Sequence, residues 1–347
     1  MKKVLFSLCA IALVAGIVSC KKEKIEPIEP DPVPVYAEGV YHPVMKIASI
    51  NEDGVLTQEW NWVGDNLDKI ATPDGGATTY NYSGNYISKV STTGDQTQEI
   101  RYFYGENNTF ASCEVYYEGA KALAMEFTHN AAGKLSGANI VVEDSFLLSL
   151  ATGLLGSGSF FEKLVGREAA EKMIAIAKIQ HAKSSKFSVG SKELGMTLEW
   201  EGENLSKQII NGNASIVLDT NDLNLLRMFI DIPEEYLGMI QMFMTLQGGL
   251  PLSLTISDTI SNTYDTNYNP FFCNWGEIFS YRNLSLNNAL TMTNSGSVAI
   301  SASVLGQSMD LFNYPLNDYA EYQYQYNDKR YPTKVSSDTD VEYIYKQ

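Results

Sequence analysis

A short aromatic unit recurs along this chain and restricts it to a sheet built from hairpins. Trp60-Asn61-Trp62-Val63-Gly64-Asp65-Asn66-Leu67-Asp68-Lys69-Ile70 is followed by Tyr80-Asn81-Tyr82-Ser83-Gly84-Asn85-Tyr86-Ile87-Ser88-Lys89-Val90, and Leu198-Glu199-Trp200-Glu201-Gly202-Glu203-Asn204-Leu205-Ser206-Lys207 repeats the pattern. Looser copies are Tyr102-Phe103-Tyr104, Phe127 to Leu135, and Tyr324 to Val335. Aromatics at i and i+2 share one face of a strand. The Gly-Asp-Asn and Ser-Gly-Asn triplets supply the positive-φ residues of a tight turn. Leu67 and Ile70 are three apart and cannot share a face on a regular strand, so either a bulge lies between them or the strand begins near Lys69. Leu252–Ile256, Ser297–Ser301 and Val341–Tyr345 alternate with period two. The expected fold is mainly β: an antiparallel meander of repeated hairpins forming a curved sheet or barrel, which must close or cap its edges.

The N-terminus reads differently. Lys2 and Lys3 precede an apolar run, Val4–Ile17, in the order of an export signal. Ile17-Val18-Ser19-Cys20 resembles the bacterial lipoprotein box, which implies cleavage before Cys20 and acylation of its sulfur. The protein would then be held to a membrane by acyl chains rather than spanning it. Pro27, Pro30, Pro32 and Pro34 favour an extended polyproline II tether. The expected organisation is a signal peptide over 1–19, a lipidated and Pro-rich tether over 20–35, and one β-rich domain over 36–347. Lysines, not acids, follow Cys20, so an outer-membrane location facing the periplasm or the cell surface stays open. The formal charge of -16 argues against nucleic acid as a partner.

Two helical insertions are expected within the domain. Near 145–185, an uncharged glycine-interrupted stretch runs into an amphipathic helix. Near 231–249, Pro233 suits a first turn and Gly248 a stop, and residues such as Met239, Met242 and Phe243 leave the helix apolar nearly all round. Such a helix must be buried or meet something apolar.

Catalytic chemistry is hard to find. His42, His129 and His181 are scattered, and no metal, nucleophile-elbow or phosphate-cradle motif appears, so no cofactor and no metal are expected. The acidic pairs Glu52-Asp53, Glu143-Asp144 and Glu234-Glu235 suit turns and helix starts better than a glycoside hydrolase. Only Cys113 and Cys273 remain for the folded body; two separate buried thiols is the simpler reading and a Cys113–Cys273 disulfide the alternative.

The signal, the tether and the aromatic-x-aromatic…Gly-x-Asn-Leu-x-Lys-Ile units together resemble Bacteroidales lipoproteins that carry a domain of unknown function with a porin-like fold, for some of which lipid binding has been suggested. The resemblance covers the hairpin regions, implies a curved or closed antiparallel sheet, and brings no catalytic residues.

The expectation is a non-enzymatic, lipid-anchored envelope protein that binds a lipid or other hydrophobic ligand. Trp60, Trp62, Tyr80, Tyr82, Tyr102, Tyr104, Trp200, Met239, Met242 and Phe243 are the candidate lining residues. Cross-strand packing is the plainer role for the aromatics. The alternative is a structural or interaction module working with outer-membrane proteins in glycan uptake, its protein partners unspecified. A membrane-spanning barrel is a third reading, against which the apolar stretches have helical rather than alternating period.

Overall fold

The computed structural model describes residues 33–94, 97–143, 187–218, 234–276, 280–304 and 307–346. The chain divides into two compact units, Met1–Val33 and Pro34–Gln347, and every element below belongs to the second. The signal segment, Cys20, His181 and the insertion expected near 145–185 lie outside the described residues.

Nine short strands come first: β1 (Ile47–Glu52), β2 (Val55–Val63), β3 (Asn66–Ala71), β4 (Ala77–Ser83), β5 (Tyr86–Thr93), β6 (Gln98–Tyr104), β7 (Phe110–Tyr117), β8 (Ala120–His129) and β9 (Leu135–Val142). Longer strands follow: β10 (Phe187–Glu201), β11 (Asn204–Leu218), β12 (Leu250–Tyr268), β13 (Asn287–Val304) and β14 (Gln307–Pro315). The chain ends in β15 (Asp318–Glu321), β16 (Gln323–Tyr326), β17 (Pro332–Ser336) and β18 (Asp340–Tyr345). All eighteen lie in one sheet. From β1 to β14 and from β16 to β18 each strand pairs antiparallel with the next in sequence, and β1 also pairs with β18. At the remaining seam β15 pairs with β13 and β16 with β17, with only Tyr322 between them. The Tyr322 N–H donates to Leu290 O at 2.9 Å across that seam. The sheet is therefore a nearly closed barrel, and few edge groups are left to pair with another chain.

The spacing puzzle in the repeat is resolved by a bulge. Asn61 pairs with Lys69 but Trp62 with Leu67, leaving Asp68 surplus. The same shift leaves Ser88, Ala111, Ser136, Ser206 and Thr333 surplus in the other hairpins. One extra residue returns both apolar positions to the inner face, so Ile87 and Val90 are both buried. Ser and Thr suit the bulge because their hydroxyls reach across: Ser88 Oγ donates to Asn81 O at 3.2 Å, Ser206 Oγ to Glu199 O at 3.0 Å, and Thr333 Oγ1 to Gln325 O at 3.2 Å. The second aromatic of a unit donates to a carbonyl of the adjacent hairpin. Trp62 Nε1 bonds Ile47 O at 2.7 Å, Tyr82 OH bonds Leu67 O at 2.8 Å, Tyr104 OH bonds Ile87 O at 2.5 Å and Trp200 Nε1 bonds Leu135 O at 2.6 Å. Each unit is thus stitched to its neighbour from inside the barrel.

In an up-and-down barrel every second connection lies at the same end. The repeat turns, including Gly64-Asp65, Gly84-Asn85 and Gly202-Glu203, gather at one end with the long β12–β13 connection. That end is plugged from within by residues 34–45, 269–276 and 280–286, the last of which include helix α2 (Tyr281–Leu284), preceded in the chain by α1 (Glu234–Gln247). Helix α1 joins β11 to β12 at the opposite end and stops at Gly248 (φ 75°), with Gly249 N–H donating to Met244 O at 2.7 Å.

Candidate functional site

The repeat aromatics face inward onto the plug. Trp60 lies 6.0 Å from Phe271, Tyr41 5.6 Å from Trp62, Tyr36 5.6 Å from Trp200, and Phe110 4.8 Å from Trp275 (ring centroids). Tyr80 OH donates to Asn274 Oδ1 at 3.0 Å, Tyr102 OH bonds Trp275 O, and Trp275 Nε1 bonds Ala37 O at 3.1 Å. Trp275 and Tyr41 are wholly buried. Seven of the predicted lining residues, Trp60, Trp62, Tyr80, Tyr82, Tyr102, Tyr104 and Trp200, thus meet the chain's own plug at this end. The plug itself was missed by the sequence reading. Its signal is Asn269-Pro270-Phe271-Phe272-Cys273-Asn274-Trp275, aromatic-rich but without alternation.

Glu38 ties the N-terminal part of the plug down. Its buried carboxylate accepts from Phe110 N–H at 2.6 Å and sits 3.0 Å from His129 Nε2. A cavity of ≈ 50 Å³ at the plug, lined by Val35, His42, Asn269, Phe272, Cys273 and Tyr331, is of water size rather than lipid size. Cys113 and Cys273 are free buried thiols, not a disulfide. Burial pushes the Cys273 thiol up to about 12 and the Cys113 thiol higher still.

Away from the plug, the long strands carry a different inner wall. Leu252, Leu254, Ile256 and Ile260 of β12 alternate inward, beside Met196 and Leu198 of β10, Ile210 and Ala214 of β11, and Val298 and Ala302 of β13. The outer face of the same strands is hydroxyl- and amide-rich: Ser253, Thr255 and Ser257 pair with Ser301, Ala299 and Ser297 on one side and with Ser215, Asn213 and Asn211 on the other. The short strands are charged outside, with ion pairs Lys89–Glu99 at 3.3 Å, Arg101–Glu99 at 2.5 Å and Lys121–Glu114 at 2.7 Å. This is the reverse of a membrane-spanning barrel, whose outer band is apolar and whose interior is polar.

Four polar groups interrupt the apolar inner wall. Gln208 and Asn294 flank Ile260 on the neighbouring strands, and Asp258 and Asn262 lie two residues to either side of it on β12. Asp258 and Gln208 are each 2% accessible. Gln208 Oε1, Asp258 Oδ1, both amide atoms of Asn262 and Asn294 Oδ1 find no hydrogen-bond partner among the described residues. Asp258 faces Gly296 across the ladder. Burial raises its carboxyl to about 6, only partly offset by hydrogen bonds from the Thr259 backbone and Asn294. Convergent, unsatisfied polar groups on a greasy wall are what an orienting subsite for a ligand looks like.

Arg282, on α2, occupies the inner face of the plug. Its guanidinium lies 5.7 Å from the Tyr322 ring and within the electrostatic reach of Tyr281 and Tyr343. Tyr281 OH and Tyr322 OH are 3.1 Å apart, and burial pushes the Tyr281 hydroxyl up to about 12, with Arg282 pulling the other way. Tyr264, two residues beyond Asn262, accepts from Ser285 Oγ at 2.8 Å and connects this group to the β12 wall. No carboxylate forms an ion pair with Arg282 among the described residues, although the side chain is solvent-accessible.

Of the predicted helical lining residues, Met242 is half exposed, and the side chains of Met239 and Phe243 lie outside the described set. Glu52-Asp53 forms the β1–β2 turn and Glu143 lies 3.9 Å from Lys121, while Asp144 and the side chains of Glu234-Glu235 are outside the described residues. Among the described residues no three His, Cys, Asp or Glu side chains gather as metal ligands.

No protein-family model matches the chain, and no curated protein does. Among solved structures, a porin-like protein from Bacteroides uniformis is similar over 84% of this chain and 85% of its own, at 10% sequence identity and a TM-score of 0.23. A likeness that slight carries no argument here, so the functional reading rests on the residues themselves.

Proposed function

We propose that the protein is a lipid-anchored barrel of the cell envelope that binds a lipid or other hydrophobic ligand and catalyses no reaction. The observation that carries the reading is the polarity of β10–β13, apolar inside and hydroxyl-rich outside. A wall of that kind gives an apolar chain a place to bury inside the barrel, where burial is favourable by roughly 25 cal/mol per Å². The charged outer face of β2–β8 supports a body standing off the bilayer on its tether rather than one inserted in it. The export signal and the Cys20 box support acyl anchoring. The plug closes the repeat end, so the ligand enters from the end that carries α1.

The test is native mass spectrometry of the full chain purified from its own envelope, with solvent extraction of bound material. The expected result is a stoichiometric apolar ligand together with a diacylglycerol mass on Cys20. An unlipidated, empty chain overturns the reading and favours the interaction module. Replacing Cys20 by Ser is expected to release the protein from the membrane fraction.

A further inference from the structure

The most informative side chain in the interior is Arg282. The chain is rich in acids, 41 Asp and Glu against 25 Lys and Arg, and uses them freely to partner its outer cations. Lys46 pairs with Asp65 at 2.7 Å, Lys134 with Glu203 at 2.8 Å, Lys207 with Glu199 at 3.1 Å and Lys334 with Asp340 at 2.6 Å. Arg282 is surrounded instead by tyrosines: Tyr281 beside it in the plug, Tyr322 and Tyr324 from the closing seam, and Tyr343 from β18. A guanidinium does not shed its charge by losing a proton, and because this side chain is solvent-accessible its charge is held by water until an anion displaces that water. Phenol hydroxyls are neutral and can donate, which suits a site that receives an anion rather than one that already holds it. The planar fork of arginine matches the paired oxygens of a carboxylate or phosphate. Its guanidinium is in cation–π contact with the Tyr322 ring.

Tyr264 and Asn262 lead from this cluster to the inner wall of β12, and beyond Asp258 that wall is apolar to Leu252. We infer that Arg282, with the hydroxyls of Tyr281 and Tyr322, forms an oxyanion site at the floor of the barrel, and that the ligand is an anionic amphiphile whose head sits there and whose chain runs along β10–β13. The inference rests on the hydrophobic-ligand reading above and adds the chemistry of the head group.

The experiment compares binding of three probes to the delipidated full chain: a long-chain fatty acid, the alcohol of the same length and acetate. Wild type is expected to bind the acid about ten-fold more tightly than the alcohol, as a charge-assisted contact provides. Acetate is expected to bind far more weakly than the acid. Arg282→Gln is expected to lose the preference and bind acid and alcohol alike, and Arg282→Lys to restore part of it. Retained alcohol binding shows that the variant is folded. If Arg282→Gln does not fold, Tyr322→Phe takes its place, with a smaller loss of preference expected. Equal binding of acid and alcohol by wild type, or an undiminished preference in Arg282→Gln, overturns the oxyanion site. Acetate binding as tight as the acid overturns the amphiphile. Binding of neither long-chain probe overturns the hydrophobic-ligand reading itself. A monoalkyl phosphate added as a fourth probe separates the two head groups: tighter binding than the fatty acid assigns phosphate, weaker binding assigns carboxylate, and either supports the site.

Discussion

Replacing Asp258 by Asn should make this protein more stable at neutral pH. The Asp258 carboxyl is 2% accessible, faces Gly296 and has one oxygen without a partner. Burial lifts it from 3.8 to about 6 in the folded state. Between those two values the folded chain holds a proton that the unfolded chain has lost. Stability therefore falls as pH rises through that window. The whole shift corresponds to about 3 kcal/mol at roughly 1.4 kcal/mol per unit. The carboxyl lies in the wall of a barrel, one layer from solvent, and screening reduces this to about 2 kcal/mol. Asn keeps the shape and removes the charge. Urea unfolding of both proteins at pH 4 and pH 7.5 isolates the effect, because every other titrating group is common to the pair. The variant should gain about 2 kcal/mol relative to wild type on going from pH 4 to pH 7.5. A stability difference that is the same at both pH values would refute the reasoning, and would mean that the folded protein accommodates the Asp258 charge as easily as water does.

Other outcomes follow from the plug and the repeat. Trp275→Ala should cost about 3–5 kcal/mol in chemical unfolding, since the indole is fully buried between the plug and β7; a loss under about 1 kcal/mol would mean that the plug is not part of the cooperative fold. Gly64 and Gly39 both have positive φ, 60° and 72°, but a Cβ at Gly64 meets nothing whereas one at Gly39 falls 1.9 Å from Tyr104 OH. Gly64→Ala should cost about 1 kcal/mol and Gly39→Ala about 3 kcal/mol, by the same unfolding assay. Ser88→Ala and Ser206→Ala should each cost about 1 kcal/mol by removing a bulge hydrogen bond, seen as faster amide exchange at the adjacent repeat turn. Cys113 and Cys273 should resist alkylation at pH 8 in the folded protein and react promptly in urea, as peptide mapping would show.

The repeat made much of this fold legible in advance. Aromatics two apart, a glycine turn, and an apolar residue three before the next are local features, and each imposes a strand, a reversal and a bulge without reference to the rest of the chain. The stop of α1 at Gly248 was legible for the same reason. What the repeat aromatics pack against was not. Trp60, Tyr80 and Tyr102 could equally have lined a ligand cavity, and their burial depends on residues 34–45 and 269–276, the second of which approaches from more than 150 residues away along the chain.

The interior polar groups were illegible for a related reason. Gln208, Asp258, Asn262 and Asn294 are unremarkable in a Ser-, Thr- and Asn-rich sequence, and only the register of three long strands brings them together beside Ile260. Arg282 is one cation among 25. The sequence by itself determined the hairpins, because turn and pleat preferences act over a few residues. Which face of the barrel holds water, which is filled, and where one cation is left among tyrosines were decided by tertiary closure, because burial and pairing depend on what arrives from elsewhere in the chain.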